Sequence, residues 1–247
     1  MAGTRSAIVL GGSGSVGNAL LRELFRHEGF NAVITLSRRS QPEAVSMANA
    51  AGRRLIEHLV PDMTAASLHA ATLAAATSVD ERLEGFSVLG IGAGTAKLTL
   101  DQHRAIDVAL NEAFARALKE SGKVDHLSFM SAVGANQSAS AEGGGGAGMP
   151  RYNRVKGDSE LAVRAAGPAI VSVFRPAMII GSAHTPWLLE RGLPLIDFLL
   201  PGRFKSIRVD QIAKAMIAAA MHHPPASGSY HYPEMMALIA DATKGSR

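Results

Sequence analysis

The chain contains no cysteine, which removes disulfides and thiolate chemistry and makes a cytoplasmic location the expectation. Aromatic residues make up only 5% of its 247 residues, and although the formal net charge is +4, the basic residues are scattered. No long basic run or aromatic-interleaved stripe appears, so nucleic acid is not an expected partner, and attraction for a small anionic cofactor accounts for the charge as well. No apolar stretch is long enough to cross a bilayer. The residues before Ala7 lead straight into an apolar run, so neither a membrane partner nor a cleavable leader is expected.

What is present is an alanine-rich, 47% hydrophobic chain of a length that suits one α/β domain with a modest appendage. We expect a single nucleotide-binding unit over 1–247, with 178–247 contributing a small substrate-side lobe. The apolar run Ala7-Ile8-Val9-Leu10 reads as a buried parallel strand, and Asn18 to Phe25 has helical periodicity. Between them lies Gly11-Gly12-Ser13-Gly14-Ser15-Val16-Gly17, the strand, glycine turn and helix arrangement that binds a dinucleotide pyrophosphate. Gly12 and Gly14 let the backbone bend and approach the phosphates. Gly17 lets the helix pack closely, and the helix N-terminus offers amide groups and partial positive charge. Glycines also serve plain turns, so the flanking elements carry the argument.

The second strand, Ala32 to Leu36, ends in Ser37-Arg38-Arg39. A carboxylate there would hold the ribose hydroxyls of NAD. A guanidinium instead suits a 2′-phosphate, so NADP is expected over NAD, with Arg38 the first choice and Arg39 the second. A third strand is expected over Arg53–Val60, followed by Asp62 in position for an adenine contact and a helix over Thr64–Thr77. A fourth strand over Phe86–Gly90 leads into the small-residue loop Ile91–Thr95, with Gly90 passing beside the cofactor. One long helix is expected over Asp101–Ser121, ended by Gly122. A fifth strand over His126–Met130 leaves Ser131 at its carboxyl end, where open α/β sheets bind ligands.

The only low-complexity stretch is Gly143–Gly148, within a loop expected over Ser138–Gly148. A helix over Arg151–Ala166 puts Tyr152 and Lys156 four residues apart on one face. A sixth strand, Ala169–Arg175, is closed by Pro176, and Val209–His222 reads as one further helix. His184, Trp187 and Arg191 fall where the pattern is least regular and are not assigned to the site. A tyrosine holds its proton to about pH 10 unless a positive charge is near. Lys156 supplies that charge, so Tyr152 can exchange a proton while Ser131 holds a substrate oxygen. Nothing in the pattern calls for a metal.

In this order, Gly11 to Gly17, Ser131, Tyr152 with Lys156, and Phe174-Arg175-Pro176 resemble the short-chain dehydrogenase/reductase superfamily from about Ser6 to Gly181. Val155-Lys156-Gly157-Asp158-Ser159-Glu160 followed by Ser172 to Pro176 is similar to its atypical branch, and within that to the Tat-interacting oxidoreductase-like group. The resemblance implies a doubly wound parallel sheet (a Rossmann fold) with NADP as cofactor. It further implies Ser131, Tyr152 and Lys156 as the catalytic triad, Arg175-Pro176 beside the nicotinamide, and a possible homodimer. One departure is Asp107, where many relatives carry asparagine, with Asn111 one turn later. The expected activity is hydride transfer between nicotinamide and a carbonyl or alcohol of a small molecule. A non-catalytic NADP sensor and an epimerase or dehydratase remain as alternatives.

Overall fold

The computed structural model describes residues 5–181 and 202–245. Strand β1 (Arg5–Leu10) is completely buried from Ala7 to Leu10. Because successive side chains of a strand point to opposite faces, Ala7 and Val9 enter one core while Ile8 and Leu10 enter the other. A strand clothed on both sides must be covered by helices on both sides, and each fully buried Ile, Leu or Phe contributes roughly 1.5–3 kcal/mol.

The elements that follow are α1 (Ser15–Arg26), β2 (Phe30–Ser37), α2 (Pro42–Ala50), β3 (Arg54–Leu59), α3 (Ala65–Ala76) and β4 (Leu83–Ser87). After a 3₁₀ turn at Gly92–Lys97 come α4 (Leu100–Arg104), a π-helical segment (Ala105–Leu110), α5 (Asn111–Glu120), β5 (Val124–Met130), α6 (Pro150–Ala166) and β6 (Ile170–Phe174). The chain ends with β7 (Ile179–Ile180), β8 (Ile207–Arg208), α7 (Val209–His222), β9 (Gly228–Tyr230) and α8 (Tyr232–Gly245).

The main sheet has the order β3-β2-β1-β4-β5-β6-β9, and its pairings are parallel. This is the doubly wound α/β fold that the sequence predicts. Helices α1, α2, α7 and α8 contact one another on one side, and α3, α5 and α6 on the other. The order reverses between β1 and β4, the switch point where such sheets bind ligands.

Several boundaries differ from the sequence expectations. Strand β4 begins at Leu83, not Phe86, and ends at Ser87 instead of Gly90. The glycine turn crosses there: a Cβ on Gly11 would collide with the backbone of Val88 and Leu89. The helix expected over Asp101–Ser121 is not one α-helix but α4, the π segment and α5 in succession, and Gly122 ends it with φ +66°. The Ile91–Thr95 loop is largely taken up by the 3₁₀ turn. The segment from 178 onward is only partly a separate lobe. Strand β9 extends the main sheet beside β6, and α7 packs on α1, leaving the short parallel ribbon β7–β8 apart. Residues 182–201, with His184, Trp187 and Arg191, lie outside the described residues.

Candidate active site

The glycine turn has the backbone geometry that a pyrophosphate cradle needs. Gly11 adopts φ +88°, a conformation that other residues rarely take. A Cβ on Gly17 would run into the Gly11 carbonyl and the backbone of Gly12, so only glycine lets α1 start this close to the strand end. No side chain caps α1 at Gly14, and Val16 is turned into the core, while Ser13 is exposed and Ser15 opens the helix. A helix N-terminus in this setting suits an anion.

This turn forms one wall of a cleft of about 610 Å³ lined by Gly11 to Gly14, Arg38, Asp62, Met63, Leu89, Gly90 and Ile106, among others. Four parts of the chain expected to meet a dinucleotide, the glycine turn, Arg38, Asp62 and Gly90, therefore converge at the sheet's carboxyl edge. Arg38 is exposed at the wall, whereas Arg39 does not line the cleft. Its carbonyl instead accepts the Ser37 hydroxyl at 2.7 Å, which tightens the turn that presents Arg38. The Glu57 carboxylate accepts from Ser40 Oγ at 2.8 Å and from the Gln41 amide at 2.7 Å, tying the same loop to β3. Asp62 accepts the Ser67 hydroxyl at 2.5 Å, so its carboxylate also steadies the first turn of α3. A cleft with a glycine floor, a backbone free of Cβ obstruction and a guanidinium at its edge fits an NADP-type nucleotide.

Gly90 links this cleft to the predicted catalytic groups, since a Cβ there would sit 3.0 Å from Lys156 Nζ. Lys156 is 4% exposed, and its ammonium lies 5.7 Å from the Tyr152 ring centre, as their spacing on α6 requires. Ser131 is buried at the end of β5, and its hydroxyl has no hydrogen-bond partner among the described residues. Such an unmet buried hydroxyl is suited to a ligand oxygen, although Ser131, like Tyr152 and Lys156, is not among the residues that line the cleft. The loop after Ser131 docks on the first turns of α6: the Asn136 amide donates to the Asn153 carbonyl at 2.9 Å, and Gly157 leaves space for the backbone of Asn136 and Gln137.

The segment expected beside the nicotinamide is held next to that loop. The Ser131 amide donates to the Phe174 carbonyl at 2.7 Å, and Val133 to that of Pro176 at 3.0 Å. The Arg175 guanidinium, however, is engaged by both carboxylate oxygens of Glu160, at 2.9 and 2.5 Å, and lines no part of the cleft. Glu160 is 5% exposed, and a buried carboxylate demands such a partner.

Sequence reasoning assigned no site role to two residues that the structure places at the centre. Asp107 is fully buried in the π segment, with Oδ2 2.7 Å from Lys156 Nζ and Oδ1 accepting the Ile91 amide at 3.3 Å. His103, one turn earlier and also fully buried, has Nε2 3.4 Å from Asp107 Oδ2 and its ring 5.9 Å from that of Tyr152. Burial opposes the charge on Asp107, but the Lys156 ammonium and the His103 imidazole outweigh it and hold the carboxyl down at about 2. Burial likewise opposes the charge on Lys156, and Asp107, followed by Tyr152 and Glu160, holds it above the usual lysine range. The widened π turn displaces the Asp107 carbonyl from the regular helical ladder; Asn111 Nδ2 at 2.9 Å and Ser159 Oγ at 2.5 Å donate to it. The available signal was the polar stripe His103, Asp107 and Asn111, four residues apart on a helix otherwise facing apolar neighbours.

No family model matches the chain. It is 30% identical over 185 residues to Protein fmp52-1, mitochondrial, of Aspergillus terreus, covering 75% of this chain and 71% of that one. A short-chain dehydrogenase/reductase from Serratia marcescens superposes with a TM-score of 0.66 at 18% identity, covering 94% of this chain and 98% of that one. The yeast methylglyoxal/isovaleraldehyde reductase Gre2, solved with NADPH, gives a TM-score of 0.61 at 15% identity, with 92% and 78% covered. These two likenesses establish the fold.

Proposed function

The chain belongs to the family of the Aspergillus protein fmp52-1, and from that premise we propose that it is an NADP-dependent oxidoreductase of the short-chain dehydrogenase/reductase type, in the atypical branch. Its substrate is a carbonyl or alcohol group of a small organic molecule. One observation carries this reading: Gly90 stands between the glycine-floored cleft and the Lys156 ammonium, which in turn faces Tyr152. That proximity supports reading the cofactor cleft and the proton-exchanging group as one site.

When bound, NADP supplies or accepts the hydride. Gly11 to Gly14 hold the pyrophosphate, Arg38 grips the 2′-phosphate, and Gly90 lets the chain pass close to the nucleotide. Ser131 hydrogen-bonds the reacting oxygen, and Tyr152 exchanges its proton with that oxygen. Lys156 supplies the positive charge beside Tyr152 and holds the nicotinamide ribose. The NADPH complex of Gre2, a protein of the same fold, supports the choice of nucleotide. The mitochondrial designation of fmp52-1 sets a mitochondrial location against the cytoplasmic one expected from composition, and imaging the tagged full chain separates them.

Tyr152→Phe tests the assignment. It removes the phenolic hydroxyl and leaves the ring, so turnover of any substrate found should fall by at least ~10²-fold. NADPH affinity, measured calorimetrically, should stay close to wild type. Retained turnover would remove Tyr152 from the chemistry.

A further inference from the structure

The glycine run Gly143–Gly148 and the turn at Gly92–Lys97 belong to different crossovers of the sheet, yet they meet at Arg151, the residue before Tyr152. Arg151 Nη2 donates to the Leu98 carbonyl at 2.9 Å. A Cβ on Gly145 would strike that same guanidinium and come within 2.8 Å of the Thr95 carbonyl. Gly145 is the one buried residue of the run, and Thr95 is fully buried as well. Arg151 Nε is sealed off with no hydrogen-bond partner among the described residues, so close packing and the bond to Leu98 hold the contact.

This contact, and not backbone conformation, demands glycine at 145. Gly143 and Gly148 take φ +87° and +80°, whereas Gly145 stays outside the left-handed region. At Gly146 an added Cβ would meet Met149 at 3.7 Å, an ordinary contact, so alanine fits there. On the other side of Tyr152, Asn153 Nδ2 donates to the Gly148 carbonyl at 3.1 Å, and the Asn153 carboxamide fills the space that a Cβ on Gly134 would take. The two sequence neighbours of Tyr152 therefore fasten the run to two different loops. Asn153 joins it to the loop after Ser131, and Arg151 joins it to the segment whose Leu98 lines the nucleotide cleft.

We infer that Arg151 is a positioning residue that clasps the glycine run onto the Thr95–Leu98 segment, so that the loop leading into Tyr152 is braced by the wall of the cofactor cleft. Resting on the oxidoreductase reading above, this gives the nucleotide a second effect. A cofactor packed on Leu98 favours the closed clasp, and the closed clasp favours the cofactor by the same factor. The substrate-side loop is thereby set before the carbonyl or alcohol compound arrives.

Glu142, exposed immediately before the run, offers the readout. A protease that cuts after glutamate severs the folded chain there when the run lifts away from its partners. Cleavage after Glu142, followed by fragment mass on the full chain, should quicken about fivefold or more in Arg151→Ala and in Gly145→Ala, as loss of a hydrogen bond with its packing implies. Gly146→Ala should be cut at the parent rate. Gly145→Ala/Arg151→Ala should be cut no faster than the faster single variant, because each substitution removes the same contact. Saturating NADPH should slow the cut in the parent and leave Arg151→Ala unprotected, which a residue that merely supports the fold would not do. The inference would be overturned by parent-like cleavage in either single variant, by a Gly146→Ala rate matching that of Gly145→Ala, or by rates that multiply in the double variant. Equal protection by NADPH with and without Arg151, including none, would overturn it too. Gly145→Ala gives the same reading if Arg151→Ala does not fold. Absence of NADPH binding in calorimetry would instead refute the oxidoreductase reading, and the nucleotide-free rates would still decide the clasp.

Discussion

At the scale of single residues, the centre of the site is an ion pair that each partner needs for its own burial. Removing one side leaves an uncompensated charge among apolar neighbours, which costs about 3–5 kcal/mol, whereas removing both leaves a smaller packing defect. Urea unfolding near neutral pH should therefore find Asp107→Asn destabilised by roughly that amount. Asp107→Asn/Lys156→Met should be less affected, and a double variant no better than the single would argue against a direct pair. The pH dependence has a defined sign. Because the folded carboxyl sits at about 2, below its ordinary value of 3.8, its contribution is present above pH 3.8 and is lost as pH falls toward 2. The gap between wild type and Asp107→Asn should narrow across that window. Arg38 and the Tyr152–Lys156 spacing were legible because they depend on a strand end and a helical turn. The Arg175–Glu160 pair was not, since nothing in Phe174-Arg175-Pro176 tells which carboxylate will be buried opposite.

Among the elements, the tightest constraint is the junction of β1 and α1. Gly17→Ala forces a methyl group against the Gly11 carbonyl and Gly12 backbone, where no flexible side chain can give way. The expected result is a loss of about 1–3 kcal/mol in stability, together with clearly weakened NADPH binding, read from thermal melts with and without nucleotide. Normal stability and affinity would mean that the turn is looser than its geometry. The helix Val209–His222 was legible to the residue, because its apolar spacing is buried along its length. The π segment was not, because Ile106 and Leu110 continue an ordinary helical spacing. The widened turn is settled by tertiary partners, Lys156 on the carboxylate of Asp107 and Ser159 on its carbonyl. Strand β9 was missed because Gly228-Ser229-Tyr230 is too short to show alternation, and β6 alone gives it register.

For the molecule as a whole, the parallel order places the glycine turn, the Arg38 loop, Gly90 and the Ser131 loop along one edge of the sheet, although they are widely separated in sequence. Among the described residues, no helix is long and apolar enough to cross a membrane. Calorimetric titration with NADPH and NADH, repeated on Arg38→Ala, decides whether this edge holds NADP. Tight NADPH binding is expected, with weaker NADH binding and a loss of about tenfold or more in NADPH affinity on Arg38→Ala, as befits a charge-assisted contact worth ~1.5–3 kcal/mol. Failure of both nucleotides to bind would contradict that assignment, leaving the fold of a dinucleotide enzyme without its cofactor.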